Sequence, residues 1–387
     1  MRTLDDLDVD GKRVLVRVDF NVPLAGDAPD RTITDDARIR GALPTLEALR
    51  ERGAARLILM AHLGRPKGQR DPALSLAPVA ARLSELLGTD VALAPSLDPA
   101  QLPDGEVVML ENVRYEPGET KDDPELAARY AALADVYVDD AFGAAHRAHA
   151  SNHAVAQLLP SAAGLLLQRE VQTLTGILET PAKPLVAIVG GAKVTDKIGV
   201  IDAFLDRADA ILIGGAMCFP FFKAQGHGVG ASLCEEDGVP VAARALEDAA
   251  AKGCRLLLPR DLVLGEAFSA DTPVTALDGI DVPEGLMGLD IGPRTAEGYA
   301  AEIVSAGTVF WNGPMGAFEL EPFAAGTKAV AQAVAACEGT TVVGGGDSAA
   351  ALAQFGLESR VTHLSTGGGA SLELIEGKTL PGVEILS

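Results

Sequence analysis

Basic residues are scarce in this 387-residue chain: 32 Lys and Arg stand against 54 Asp and Glu, a net charge of −22. Nucleic acids and anionic membranes need a basic face, so the balance argues against both as main partners. Lysine is the rarer cation, 10 against 22 arginines. Cysteine is rare as well. Cys218, Cys234, Cys254 and Cys337 are widely spaced, with no CxxC pair and no zinc ladder. Such cysteines read as reduced thiols in a cytosolic protein. No apolar run approaches the roughly 20 residues of a membrane span, and the acidic start, Met1 to Asp6, has no apolar leader segment. The chain reads as cytoplasmic and soluble, with no low-complexity tract.

What is present is ordinary globular material, 48% hydrophobic and 22% charged, and at roughly 150 residues per domain the length predicts two domains. Short Val/Ile/Leu runs recur, each ending at a Gly or polar cluster and followed by an Ala-rich helical segment. That alternation predicts an α/β protein built on parallel sheets covered on both faces. The strand candidates are 14–18, 56–60, 107–110 and 136–138 in the first half. In the second half they are 185–189, 210–213, 255–258, 308–311, 341–343 and 361–364. Between the halves, Leu167, Val171, Leu174 and Leu178 share one helical face. The spacing predicts a connector helix over 164–178.

In open parallel sheets, ligands bind beyond the carboxyl ends of the strands, where helix N-termini offer free N–H groups. The first-half strand ends carry Asp19-Phe20-Asn21, then His62-Leu63-Gly64-Arg65, then Asn112 and Arg114, then Asp139-Asp140 with His146-Arg147-Ala148-His149, and Arg38 follows the first strand. Any one of these has a bland reading as a solvated arginine or a turn aspartate. Together, in an acidic chain, they predict an anion site, because guanidinium forks match phosphate and carboxylate oxygens.

Second-half strand ends carry glycine instead: Gly190-Gly191-Ala192-Lys193, Gly214-Gly215, Asn312-Gly313-Pro314, Gly344-Gly345-Gly346-Asp347-Ser348 and Gly367-Gly368-Gly369. Glycine lets phosphates approach main-chain N–H groups, which suits a nucleotide. GxxxxGK[ST] is absent, which disfavours a P-loop ATPase. Gly344-x-Gly346-x-x-Ala349 mimics a dinucleotide fingerprint, but the next strand, 361–366, ends without the acid such a site uses for ribose. A dehydrogenase remains the rival from the pattern. A catalytically idle interaction protein is the third reading.

The ordered blocks Arg17-Val18-Asp19-Phe20-Asn21-Val22-Pro23, His62-Leu63-Gly64-Arg65-Pro66-Lys67-Gly68, Asp140-Ala141-Phe142-Gly143, Gly190 to Lys197, and Trp311-Asn312-Gly313-Pro314-Met315-Gly316 resemble the phosphoglycerate kinase family from end to end. The resemblance implies two doubly wound, Rossmann-like domains facing a cleft, residues 1–165 and 166–371, with the tail 372–387 returning to the first. It implies reversible phosphoryl transfer between 1,3-bisphosphoglycerate and ADP, giving 3-phosphoglycerate and ATP, by a monomer. Carried over by position, Asp19, Phe20, Asn21, Arg38, His62, Leu63, Gly64, Arg65, Arg114 and Arg147 are implied for phosphoglycerate. Arg38, Lys193, Gly368 and Gly369 are implied for the transferring group. Gly191, Ala192, Lys197, Gly214, Gly215, Gly288, Leu289, Asn312, Glu319, Gly345, Gly346, Asp347 and Ser348 are implied for the nucleotide, with Asp347 as Mg2+ ligand. Ser348 departs from the family's usual threonine but keeps the hydroxyl. With the two sites on different domains, the reactants meet only when the cleft closes, which predicts hinges at both ends of the connector helix and near Gly369-Ala370-Ser371.

Overall fold

Runs of Val, Leu and Ile too apolar to face water on either side fold into two parallel sheets. A computed structural model describes residues 1–27 and 31–387. The chain forms two units, Met1–Gln172 with Thr379–Ser387, and Thr173–Lys378.

Unit 1 contains β1 (Arg13–Arg17), a short antiparallel pair β2 (Leu24–Ala25) and β3 (Thr32–Ile33), α1 (Ala37–Glu51), β4 (Arg56–Met60), α2 (Ala77–Leu87), β5 (Val91–Ala94), β6 (Val107–Leu110), α3 (Pro124–Ala131), β7 (Val136–Asp139) and β8 (Ser161–Ala163). Its main sheet has the order β5-β6-β4-β1-β7-β8, parallel throughout. Val16, Leu59, Met109 and Val138 are fully buried in it, each burial contributing about 1.5–3 kcal/mol. β5 and β8 escape the sequence reading. Both are edge strands, short and alanine-rich, and they gain their conformation from the neighbour they pair with rather than from propensity.

α4 (Leu165–Glu179) spans the division between units, close to the predicted 164–178. Its first N–H groups find a partner outside the helix: Leu166 N and Leu167 N donate to Asp140 Oδ1 at 2.9 and 3.3 Å. Leu165 N donates to Thr45 Oγ1 at 2.9 Å.

Unit 2 runs β9 (Leu185–Val189), α5 (Ile198–Leu205), β10 (Ala210–Ile213), α6 (Cys218–Ala224), α7 (Val239–Lys252), β11 (Arg255–Leu257), β12 (Leu262–Gly265), β13 (Thr275–Leu277), β14 (Met287–Ile291), α8 (Pro293–Val304), β15 (Thr308–Asn312), α9 (Ala325–Ala336), β16 (Thr340–Gly344), α10 (Gly346–Gln354), β17 (His363–Leu364) and α11 (Gly369–Ile375). The order β11-β10-β9-β15-β16-β17 is again parallel. A second sheet, β13-β12-β14, is antiparallel and absent from the sequence reading. Its strands are short, and β13 is largely exposed, so neither a continuous apolar run nor clean alternation marks them.

Of the tail expected over 372–387, only Thr379–Ser387 belong to unit 1, and the residues before them stay with unit 2. Arg2 N donates to Leu386 O at 2.7 Å and Gly382 N to Ala145 O at 2.9 Å, and Leu380 and Leu386 are buried. In each main sheet the first strand of the unit sits centrally, with the next main-sheet strand on one side and a later one on the other. The chain direction therefore switches beside β1 and beside β9, and the loops leaving those strands diverge to open a crevice.

Candidate functional site

In unit 1 the loops after β1, β4, β6 and β7 surround a cavity of about 930 Å3. Asn21, His62, Gly64, Arg65, Arg114 and Arg147 line it, joined by Lys67, Lys121, His146 and His149. Asn112 ties the loops together. Its Oδ1 accepts from Leu63 N at 3.2 Å and Arg114 N at 3.1 Å, and its Nδ2 donates to Leu63 O at 2.7 Å. Asn21 Oδ1 accepts from Gly64 N at 2.9 Å, and Arg114 Nη1 donates to Gly64 O at 2.8 Å. Arg114 is therefore aimed by backbone contacts, and burial with neighbouring arginines depresses its pKa, a state that an arriving anion relieves.

Asp19 and Arg38 form an ion pair that abuts this cavity at Gly143. Phe20 and Leu63 differ from expectation: both side chains are buried in the unit's core, because the residues flanking them take the pocket side. Each can offer a ligand only its backbone. His62 is 6% exposed. Burial, then the charges of Arg17, Arg114 and Arg38, hold its pKa well below the usual imidazole range.

In unit 2 the glycine loops and the antiparallel sheet enclose a second cavity of about 920 Å3. Of the expected residues, Gly191, Ala192, Gly215, Gly288, Leu289, Glu319 and Asp347 line it. Two glycines are required by the fold itself. A Cβ on Gly190 would meet the carbonyls of Pro314 and Gly313, and one on Gly214 would meet Met315. The loops after β9 and β15 are in main-chain contact: Gly190 N donates to Asn312 O at 2.9 Å and Gly191 N to Pro314 O at 3.1 Å.

Asn312 and Ser348 support the site from beneath. Asn312 Oδ1 accepts from Lys197 Nζ, and its Nδ2 donates to Gly344 O at 2.7 Å. Ser348 is fully buried and its Oγ accepts from Gly313 N at 2.6 Å, so the hydroxyl braces a loop. Burial lowers the Lys197 pKa, opposed by the charges of Asp347, Asp196 and Glu376. Lys193 is exposed. Gly345 has φ +92 and Gly368 φ +54, so both loop turns use the left-handed region that favours glycine. Lys193, Lys197, Gly345, Gly346, Gly368 and Gly369 stand outside the cavity wall.

The remaining wall was not read from the sequence. Phe219, Leu233, Phe268 and Met287 make it strongly apolar, and Leu233 and Phe268 are 66% and 60% exposed at its mouth. An exposed aromatic beside an apolar slot suits a flat heteroaromatic ring. Asp290 also lines the cavity, 3% exposed, with burial pushing its carboxyl up to about 7. Its oxygens accept from Gly326 N at 2.6 Å and Ile291 N at 2.9 Å, capping the start of α9.

Among the described residues no group of three or more His, Cys, Asp or Glu is arranged to hold a metal alone. Asp347, in the first turn of α10, offers the cavity one exposed carboxylate. One carboxylate completed by substrate phosphates and water is a donor set that fits Mg2+. No helix among the described residues is long and apolar enough to cross a membrane.

The family model described as phosphoglycerate kinase matches residues 4–378. A phosphoglycerate kinase of Moorella thermoacetica is 55% identical over 392 residues, covering 100% of this chain and 98% of the relative. One from Roseiflexus is 53% identical, covering 100% and 99%. The solved phosphoglycerate kinase of Coxiella burnetii superposes with a TM-score of 0.91 at 42% identity, covering 99% of this chain and 98% of that one. The chain belongs to the phosphoglycerate kinase family.

Proposed function

We propose that this chain catalyses the reversible transfer of the acyl phosphate of 1,3-bisphosphoglycerate to ADP, with phosphoglycerate held by the unit 1 pocket and nucleotide by the unit 2 pocket. The observation that carries the reading is the contrast between the two cavities. One is walled by arginines, lysines and histidines; the other by glycine main chain, an apolar slot and one carboxylate. A small polyanion suits the first and a purine nucleotide the second.

The attacking group is already an anion in either direction, a carboxylate or an ADP phosphate oxygen, so no general base is needed. What remains is positioning and neutralisation of charge on the moving phosphoryl group. Asn21, His62, Arg65, Arg114 and Arg147 would hold phosphoglycerate, with Asp19 orienting Arg38 toward the phosphoryl group. Lys193, exposed in the loop after β9, would follow that group, with the amides at Gly368 and Gly369. Lys197, fixed by Asn312, would hold nucleotide phosphates, Gly215, Gly288 and Leu289 the adenine, and Glu319 the ribose. Asp347 would hold Mg2+, which supplies charge neutralisation on the phosphates when bound.

Because different units bind the two ligands, the reading includes hinges at the ends of α4 and near Gly369-Ala370-Ser371. A radius of gyration unmoved by both substrates together, measured by small-angle scattering, would count against them. It also includes a monomer, checked by sedimentation, in the cytoplasm, a reducing compartment that suits the four free thiols. The activity is tested with 3-phosphoglycerate, ATP and Mg2+ in an assay coupled to NADH oxidation, with Lys193→Ala as control. ADP-forming turnover that the substitution reduces is expected; equal rates in both proteins would remove Lys193 from the reaction.

A further inference from the structure

Arg17, the last residue of β1, is 1% exposed, a charge hidden beneath the unit 1 pocket. Three edges of its guanidinium are engaged. Nε donates to Ser151 Oγ at 2.8 Å, Nη1 to Val18 O at 2.5 Å, and Nη2 stands 3.2 Å from His62 Nδ1. Ser151, itself fully buried, donates from Oγ to Glu119 Oε1 at 2.6 Å and from N to Glu119 Oε2 at 3.2 Å. Glu119 is fully buried too. The four side chains form one line from the interior to the pocket wall.

A guanidinium carries only donors and keeps its protons at any working pH. Its contact with His62 is a hydrogen bond only if Nδ1 offers a lone pair, which leaves the ring proton on Nε2. A doubly protonated ring would point an N–H at a cation. Arg17 cannot turn away from His62, because Ser151 and the Val18 carbonyl hold its other edges. Ser151 in turn accepts from Arg17 while donating to Glu119, so the carboxylate sets the direction of its hydroxyl.

We infer that Glu119, Ser151 and Arg17 are positioning residues that lock His62 as the neutral Nε2–H tautomer, a fixed hydrogen-bond donor to the anion bound in the unit 1 pocket. The inference rests on the proposed role of that pocket. It also says something the basic lining alone does not: His62 contributes a directed donor and no charge. The groups facing it are Arg17 from β1, Arg38 from α1, Arg114 from the loop after β6, and His149 from the turn after β7. Glu119 lies 3.8 Å from His149 Nδ1. Burial takes the His149 pKa down to about 4, so neither His62 nor His149 adds charge to the wall where an ordinary histidine would titrate.

The test is nitrogen-15 spectroscopy of the histidine rings in the full chain, with His62→Gln assigning the resonance among the six histidines. Between about pH 5 and 8, the range in which an ordinary imidazole changes charge, His62 should stay neutral with the proton on Nε2. An Nδ1–H signal in the unsubstituted chain would overturn the inference whatever any variant does. Ser151→Ala keeps both buried charges, unlike substitution of Arg17, which strands Glu119. It should leave His62 neutral, because burial and the three arginines are untouched, but let an Nδ1–H population appear and weaken 3-phosphoglycerate binding by about tenfold. An unchanged tautomer in Ser151→Ala would likewise defeat it. Calorimetric titration of the unsubstituted chain with 3-phosphoglycerate tests the pocket assignment separately, since failure to bind leaves the tautomer result standing.

Discussion

The Arg38 guanidinium is paired with the Asp19 carboxylate, and that pairing holds a long flexible cation against the pocket wall. Asp19 is 6% exposed while Arg38 keeps about a third of its side-chain surface, 32%. The acid is the fixed partner and the arginine the presented one. An arginine held in place beforehand stabilises developing charge without reorganising, and loss of one such group typically costs about 100- to 1000-fold in rate. Arg38→Ala should therefore lower kcat by that order while ADP affinity, a property of the other unit, stays unchanged. Turnover in a coupled assay and ADP calorimetry together check this; retained turnover would remove Arg38 from the reaction.

Gly143 makes that pair possible. A Cβ there would meet Asp19 Oδ2 and lie 3.4 Å from Arg38 Nη1. Gly143→Ala must displace the carboxylate, and with it the arginine. The expected outcome is a rise in KM for 3-phosphoglycerate of about tenfold, the loss of one charge-assisted hydrogen bond, with KM for ATP unmoved. A rise in both would mean that the substitution disturbs more than the pair.

These two residues also mark how far the sequence could be read. Parallel strands announce themselves as Val/Leu/Ile runs ended by glycine or charge, because a strand buried on both faces tolerates little else. The residues just beyond them, Asn21, His62, Arg65, Arg114, Arg147 and Asp347, were therefore legible as pocket lining. Phe20 and Leu63 were not legible as core, since strand-end position does not reveal which way a side chain turns. The apolar wall from Phe219, Leu233 and Phe268 was hidden because two of these residues lie in loops and β12–β14 carry no clean period. Glu119, Arg17 and Ser151 meet across sequence separations of 134 and 32 residues, and no local pattern encodes a contact of that kind.

Asp140 gives a prediction about pH. It is fully buried, it caps α4, and burial pushes its carboxyl up to about 8. Its Oδ2 has no hydrogen-bond partner, as a neutral acid would tolerate better than an anion. The folded pKa lies above the unfolded value of about 3.9, so the folded state holds the proton more tightly. The resulting stabilisation is complete below about pH 4 and is lost as pH rises toward 8, at ~1.4 kcal/mol per unit. Asp140→Asn cannot titrate. Relative to it, the unsubstituted chain should lose about 3 kcal/mol between about pH 5 and 7.5, measured by urea unfolding. A constant difference between the two proteins would show that Asp140 is ionised throughout.

Glycines in unit 2 separate demands of the fold from demands of a ligand. A Cβ on Gly190 would run into the Pro314 carbonyl and lie 2.8 Å from the Gly313 carbonyl. Main chain cannot step aside as a side chain can, so Gly190→Ala should destabilise unit 2 by about 1–3 kcal/mol, seen in urea unfolding with no nucleotide present.

Gly346 is the opposite case. A Cβ there would meet nothing within 4 Å, and the residue opens α10 without a left-handed φ. Alanine is the better helix former by about 1 kcal/mol, so Gly346→Ala should leave stability equal or slightly raised. If nucleotide phosphates approach the main chain at the start of α10, as the proposed function requires, the added methyl group stands in their path. KM for ATP should then rise by tenfold or more, about 1.4 kcal/mol, while 3-phosphoglycerate binding is unchanged. An unaltered KM in a fully folded Gly346→Ala protein would show that the phosphates lie elsewhere, and would move the weight of nucleotide binding from the Gly344-Gly345-Gly346 loop to the loop after β9.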